Sequence, residues 1–258
     1  SLENASPNIQ DIVSKIKEEE ARLRSKYSFL NAQNSMGLMI LLLSFSGMLG
    51  CAILYYYTVI PAWLCIVAAT VFASISHELE HDLIHKLYFR HNALMHNIMM
   101  AVVWCMRPNT INPWYRRKIH LLHHKTSGTQ QDLEERLVGN GIANKLVRFI
   151  VMFDGLLGLI LQRKLLKTEV NIFNFSTVFN AGFPLATLYF TFSYIFILFH
   201  GFNYFFPNNF LYPQWQLATI ELINFLMVII IAPNFIRSAC LNFVTSYLHY
   251  YGGVSSVL

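Results

Sequence analysis

Six of the chain's ten histidines fall in two short runs, HELEHDLIH at residues 77–85 and HLLHH at residues 120–124. His77, His81 and His85 follow one another at i, i+4 and i+8, which lines them up along one helical stripe. His120, His123 and His124 stand at i, i+3 and i+4, again on one face of a helix. Neighbouring turns of a helix bring imidazole nitrogens within reach of one ion, and an imidazole-rich shell favours iron, zinc, copper or nickel over hard alkaline-earth ions. A single HxxxH is more often structural than ligating. Two such clusters on separate segments are hard to explain as packing, and they point to a transition-metal site. Glu78, Glu80 and Asp82 stand close enough in sequence to accept from the far ring nitrogens. His249, in SYLHYYGG, is a further candidate, whereas His91 and His96 lie off the stripe and His200 reads as an interfacial polar residue.

The elements that must position these residues are membrane helices. Residues 27–77 contain no Asp, Glu, Lys or Arg, and neither do residues 170–220; each run is long enough for two spans of about 20 residues. The first run breaks at YYYTVIP and the second at GFNYFFPNNFLYPQWQ. This places spans near 36–57, 61–81, 175–199 and 217–237. All 19 Lys and Arg lie in 1–26, in 82–169 or at Arg237, and the connections 58–60 and 201–216 have none. By the positive-inside rule the N-terminus, the central segment and the C-terminus are then cytoplasmic.

The expected architecture is all-α: a first transmembrane hairpin at 36–81, a cytoplasmic cap at 82–169, a second hairpin at 170–237 and a cytoplasmic tail at 238–258, forming one domain. The apolar stretches 92–106 and 147–161 are too short to span and read as interfacial helices of the cap. Residues 1–35 form an amphipathic segment, opening on Ser6 and Pro7 as cap and first turn.

Composition agrees. The chain is 55% hydrophobic, 15% aromatic and only 13% charged, against about 25% charged in soluble domains. Its net charge of +5 follows from topology and needs no nucleic acid. The four cysteines show no CxxC or CxH spacing, so neither a disulfide framework nor a zinc knuckle is legible. No CxxCH haem attachment and no GxGxxG dinucleotide fingerprint occurs.

HDLIH, then HLLHH, then LHYYGG after two further spans, in a hairpin–cap–hairpin order, resembles the membrane fatty acid desaturase and hydroxylase superfamily. In that family histidine boxes bind two irons at the cytoplasmic face. Carried over box by box, the resemblance assigns His81 and His85 to the first box, His120, His123 and His124 to the second, and His249 to the additional ligand. HELEH offers a rival first box through His77 and His81, as in the alkane hydroxylase branch. His81 belongs to both registers, and HDLIH is preferred because it lies farther from the hydrocarbon and is followed by KLYFR.

The resemblance implies an oxygen-dependent, non-haem di-iron desaturase acting on an acyl lipid, with O2 as co-substrate. Electrons would come from a separate cytochrome b5-like or ferredoxin-like donor. A hydroxylase or ketolase on the same scaffold is the first alternative; a b-type cytochrome or a metal transporter is a remote one. The six ligand candidates are expected to converge on a region about 10 Å across, since metal–imidazole bonds are only about 2 Å long. The family calls for a final HxxHH after LHYYGG, yet the chain ends nine residues past His249 and begins with Ser1. The expectation is therefore a fragment cut at both ends, whose native chain continues with a cytoplasmic segment bearing that box; the fragment inserts in the membrane but holds iron poorly and is inactive.

Overall fold

The computed structural model describes residues 7–126, 134, 142, 144–153, 155–161, 175–207 and 211–248. Among them every regular element is helical. Helix α1 (Pro7–Lys26) carries exposed Ile12, Ile16 and Leu23 and leads through a short 3-10 turn (Ser28–Asn31) into α2. Four segments are long and apolar enough to cross a membrane: α2 (Gln33–Tyr56), α3 (Ala62–Ile84), α9 (Leu185–Phe205) and the composite Gln214–Thr245. Between the two pairs lie α4 (Ala93–Met106), α5 (Pro113–Thr126), α6 (Lys145–Phe153), α7 (Gly155–Leu161) and α8 (Phe175–Gly182).

The first two spans match the expected positions closely, because the charge-free run and Pro61 mark their ends. The third begins at Leu185 rather than near 175. Pro184 lacks an N–H and disfavours helix at the residue before it, so the apolar run divides into α8 and α9. Helix α8 instead packs beside the second histidine run: Val178 joins Ile119 of α5 and Leu159 of α7 in one apolar cluster. The fourth span is longer than expected. It runs as α10 (Gln214–Leu226), a π-helical turn (Met227–Ile231) and α11 (Ala232–Leu248).

The core sits where α2, α3 and α4 meet. His96, Met99, Met100, Val103 and Met106 form a buried stripe on α4 at helical spacing, set against Leu41 and Met48 of α2 and Leu79 and Leu83 of α3. Tyr88, in the connection after α3, closes this core against α2. A Cβ on Gly37 would lie 2.6 Å from the Tyr88 ring. Gly37→Ala is therefore expected to push the ring aside and to destabilise the protein by about 1–3 kcal/mol, measured as a lowered unfolding midpoint. An unchanged midpoint would show that Tyr88 moves freely.

Helix α11 is tied to this core by polar groups. Asn234, fully buried, donates to the carbonyls of Met106 and Ile230 at 3.0 Å each. Arg237 donates to Asn109 Oδ1 at 3.1 Å and to Asn234 Oδ1 at 3.2 Å. The connection Arg107–Asn112, which leads into α5, is thus held from the side of the fourth span.

Candidate metal centre

The last turn of α3 and the last two turns of α5 face each other. His81 and His85 come from the first, His120 and His124 from the second, and one ligating atom from each lies within 4.8 Å of the others. Three Nε2 atoms form a near-equilateral triangle: His85–His120 at 3.1 Å, His120–His124 at 3.1 Å and His124–His85 at 3.2 Å.

Such a triangle does not work as a hydrogen-bonded network. Each Nε2 carries either a proton or a lone pair, so two of the three must be alike, and a like pair 3.1 Å or so apart repels. A cation removes the conflict by accepting all three lone pairs. With metal–nitrogen bonds of about 2.1 Å, the three nitrogens stand close enough together to hold one ion. The donor set, neutral imidazole throughout, suits a transition metal. The residues present fit the ions the sequence implies.

One acid fixes the orientation. His120 Nδ1 donates to Glu134 Oε2 at 3.0 Å, which leaves the Nε2 lone pair of His120 facing the cluster. Burial alone would push the Glu134 carboxyl up, but the bond from His120 and the nearby Arg116 charge outweigh it and hold it below the usual range. Sequence reading missed Glu134, since nothing in its spacing from His120 marks it. Two of the acids that reading favoured bond groups other than the imidazoles of the triangle. Asp82 accepts from the Tyr88 hydroxyl at 2.8 Å and stands 3.8 Å from His81 Nδ1. Glu80 is buried against Arg107, with Arg116 at 3.5 Å.

The remaining histidines divide clearly. The His123 ring stacks on His120 at 5.7 Å but is not one of the four converging residues. His77 Nδ1 takes a bond from the Arg107 guanidinium and is likewise outside the group. His249 lies outside the described residues. His96 is buried, donating to the Tyr88 carbonyl at 3.1 Å and accepting from Arg117 at 2.6 Å, so both its nitrogens are used in structure. His200 pairs with Asn224 at 2.7 Å on α10.

Partial burial first, and the neighbouring imidazoles second, push His85 and His124 below the ordinary imidazole value of 6.5. In the unfolded chain these groups regain that value and bind protons more readily. Stability of the metal-free protein is then full above about pH 7 and is lost progressively as pH falls through and below 6.5. The depressed Glu134 adds a loss in the same direction at lower pH. Unfolding midpoints measured between pH 8 and pH 5, roughly the window in which imidazoles titrate, should fall with acidification; a rising midpoint would contradict the arrangement.

A family model described as fatty acid desaturase matches residues 57–255, more than three quarters of the chain. The searches of curated proteins and of solved structures returned no match.

Proposed function

The chain belongs to the fatty acid desaturase family, and on that premise we propose that it is an oxygen-dependent di-iron desaturase that introduces a double bond into a lipid-borne acyl chain. The supporting observation is the convergence of His81, His85, His120 and His124 from two helices, with three Nε2 atoms 3.1–3.2 Å apart. We assign His123 and His249 to the second ion; His77, the rival first-box residue, could join them only by giving up its bond from Arg107. When bound, the irons would supply with O2 the oxidising power to cleave an unactivated C–H bond, which acid–base side chains lack.

The protein's own part is to hold and shield. His85, His120 and His124 present unprotonated Nε2 atoms, and Glu134 keeps the proton of His120 on the opposite nitrogen. The four membrane-spanning helices would bring the acyl chain to the centre from within the bilayer and keep bulk water away from the reacting carbon. The centre lies at the ends of α2 and α3 that we assign to the cytoplasmic face, where a soluble donor protein can deliver electrons. Removal of two hydrogens without oxygen transfer gives the alkene; oxygen transfer would give an alcohol or ketone.

The test is to express the complete gene that encodes this chain together with electron donors, feed an isotope-labelled saturated fatty acid and analyse the lipids by mass spectrometry. The expected product lacks one pair of hydrogens. A labelled product that has gained oxygen would replace the desaturase with a hydroxylase or ketolase. Iron-loaded protein that alters no lipid would overturn the proposal.

A further inference from the structure

Two consecutive arginines on α5 precede its histidines, and their guanidinium groups take different partners. Arg116 reaches the acids Glu80 and Glu134, at 3.5 and 3.8 Å. Arg117 reaches the end of the neighbouring helix. Its Nε donates to the Ile84 carbonyl at 2.9 Å and its Nη2 to the Leu83 carbonyl at 2.7 Å. Those two residues stand between His81 and His85.

The last carbonyls of a helix have no partner within it, and cationic side chains commonly cap them. Here the cap for α3 comes from α5, three residues before His120. A planar fork gripping two successive carbonyls fixes separation and rotation together, which an ammonium on a flexible stem does not. The fork is itself anchored: Nη2 also donates to His96 Nε2 at 2.6 Å, and His96 holds the Tyr88 carbonyl at 3.1 Å. Tyr88 in turn donates to Asp82, the residue after His81.

The metal triangle is assembled across the same two helices. His85 comes from the end of α3, His120 and His124 from α5, and a slide of a few tenths of an ångström between the helices would misplace one nitrogen against the other two. We propose that Arg117 is the positioning residue that sets the register of the two histidine runs, so that it governs metal affinity and geometry. The inference rests on the metal-centre reading above.

Cobalt(II) is the probe, because its visible ligand-field spectrum reports coordination independently of turnover. The purified protein is compared with Arg117→Lys, Arg117→Met and, as a control on the exposed side of the same helix, Lys118→Met. Helix content by circular dichroism is recorded for each. Both Arg117 variants should keep their helix content, bind cobalt about 10–100-fold more weakly and show an altered spectrum, as expected when a group that orients the ligands is lost. Lys should restore little of the loss despite its charge, and Lys118→Met should match the parent protein. Parent-like affinity and spectrum in Arg117→Met would overturn the proposal. So would loss of fold in both Arg117 variants, since the residue would then serve the fold alone. A parent protein that takes up no cobalt would overturn the metal-centre reading itself.

Discussion

His120→Ala should abolish metal uptake at the four-histidine group, whereas His123→Ala, made in the complete enzyme, should leave that uptake in place and lose turnover. His120 is the hinge of the triangle, 3.1 Å from both His85 and His124, and the member whose far nitrogen is held by Glu134. Removing it deletes a ligand and leaves Glu134 without its donor. Loss of an outer partner alone costs about 10–100-fold in affinity, so loss of the ligand should exceed 100-fold. His123 is stacked beside His120 and assigned to the second ion, so its effect should appear in lipid product and not in the first equivalent of bound metal. Equilibrium dialysis with iron(II) or cobalt(II), run beside lipid analysis, separates the two. Retained first-equivalent binding in His120→Ala would remove the triangle from the function.

The pairing of α3 with α5 was legible in the sequence because helical periodicity is local: HDLIH and HLLHH place their own histidines on one face without knowledge of the rest. Spans one and two were legible for a similar reason, since hydropathy and Pro61 act within a few residues. Features that depend on distant partners were not. Glu134 bonds His120 from 14 positions along the chain, outside the reach of any helical periodicity. Arg116, Arg117 and Arg107 counted in sequence as topological charges, yet each has a specific partner on α3. Glu80 read as an acceptor for a histidine, but Arg107, 27 positions on, holds it instead. Spans three and four were misplaced at their ends because an apolar run does not mark where a helix starts or stops: Pro184 separates α8 from α9, and α11 runs on past Arg237 to Leu248.

The buried pair makes the second large prediction. Glu80 and Arg107 expose 1% and 0% of their side chains and lie in contact, with Arg116 beside them. Taking two charges out of water costs several kcal/mol for each, and their mutual attraction offsets this only while both are present. Glu80→Leu removes the carboxylate and leaves Arg107 facing Arg116 with its countercharge gone. The expected loss is about 3–5 kcal/mol, which for a protein of this length lowers the unfolding midpoint by about 10 °C or more. In Glu80→Leu/Arg107→Met no orphaned cation remains. Its cost should be smaller, chiefly the His77 nitrogen that loses the Arg107 bond, worth about 1–3 kcal/mol. The double variant should therefore be more stable than the single one, a reversal that additive packing losses cannot produce. Thermal unfolding of both variants in the same detergent, metal-free, decides it. If the second substitution lowers the midpoint further, Glu80 and Arg107 stabilise the protein separately and the pair is not the unit that joins α3 to α4.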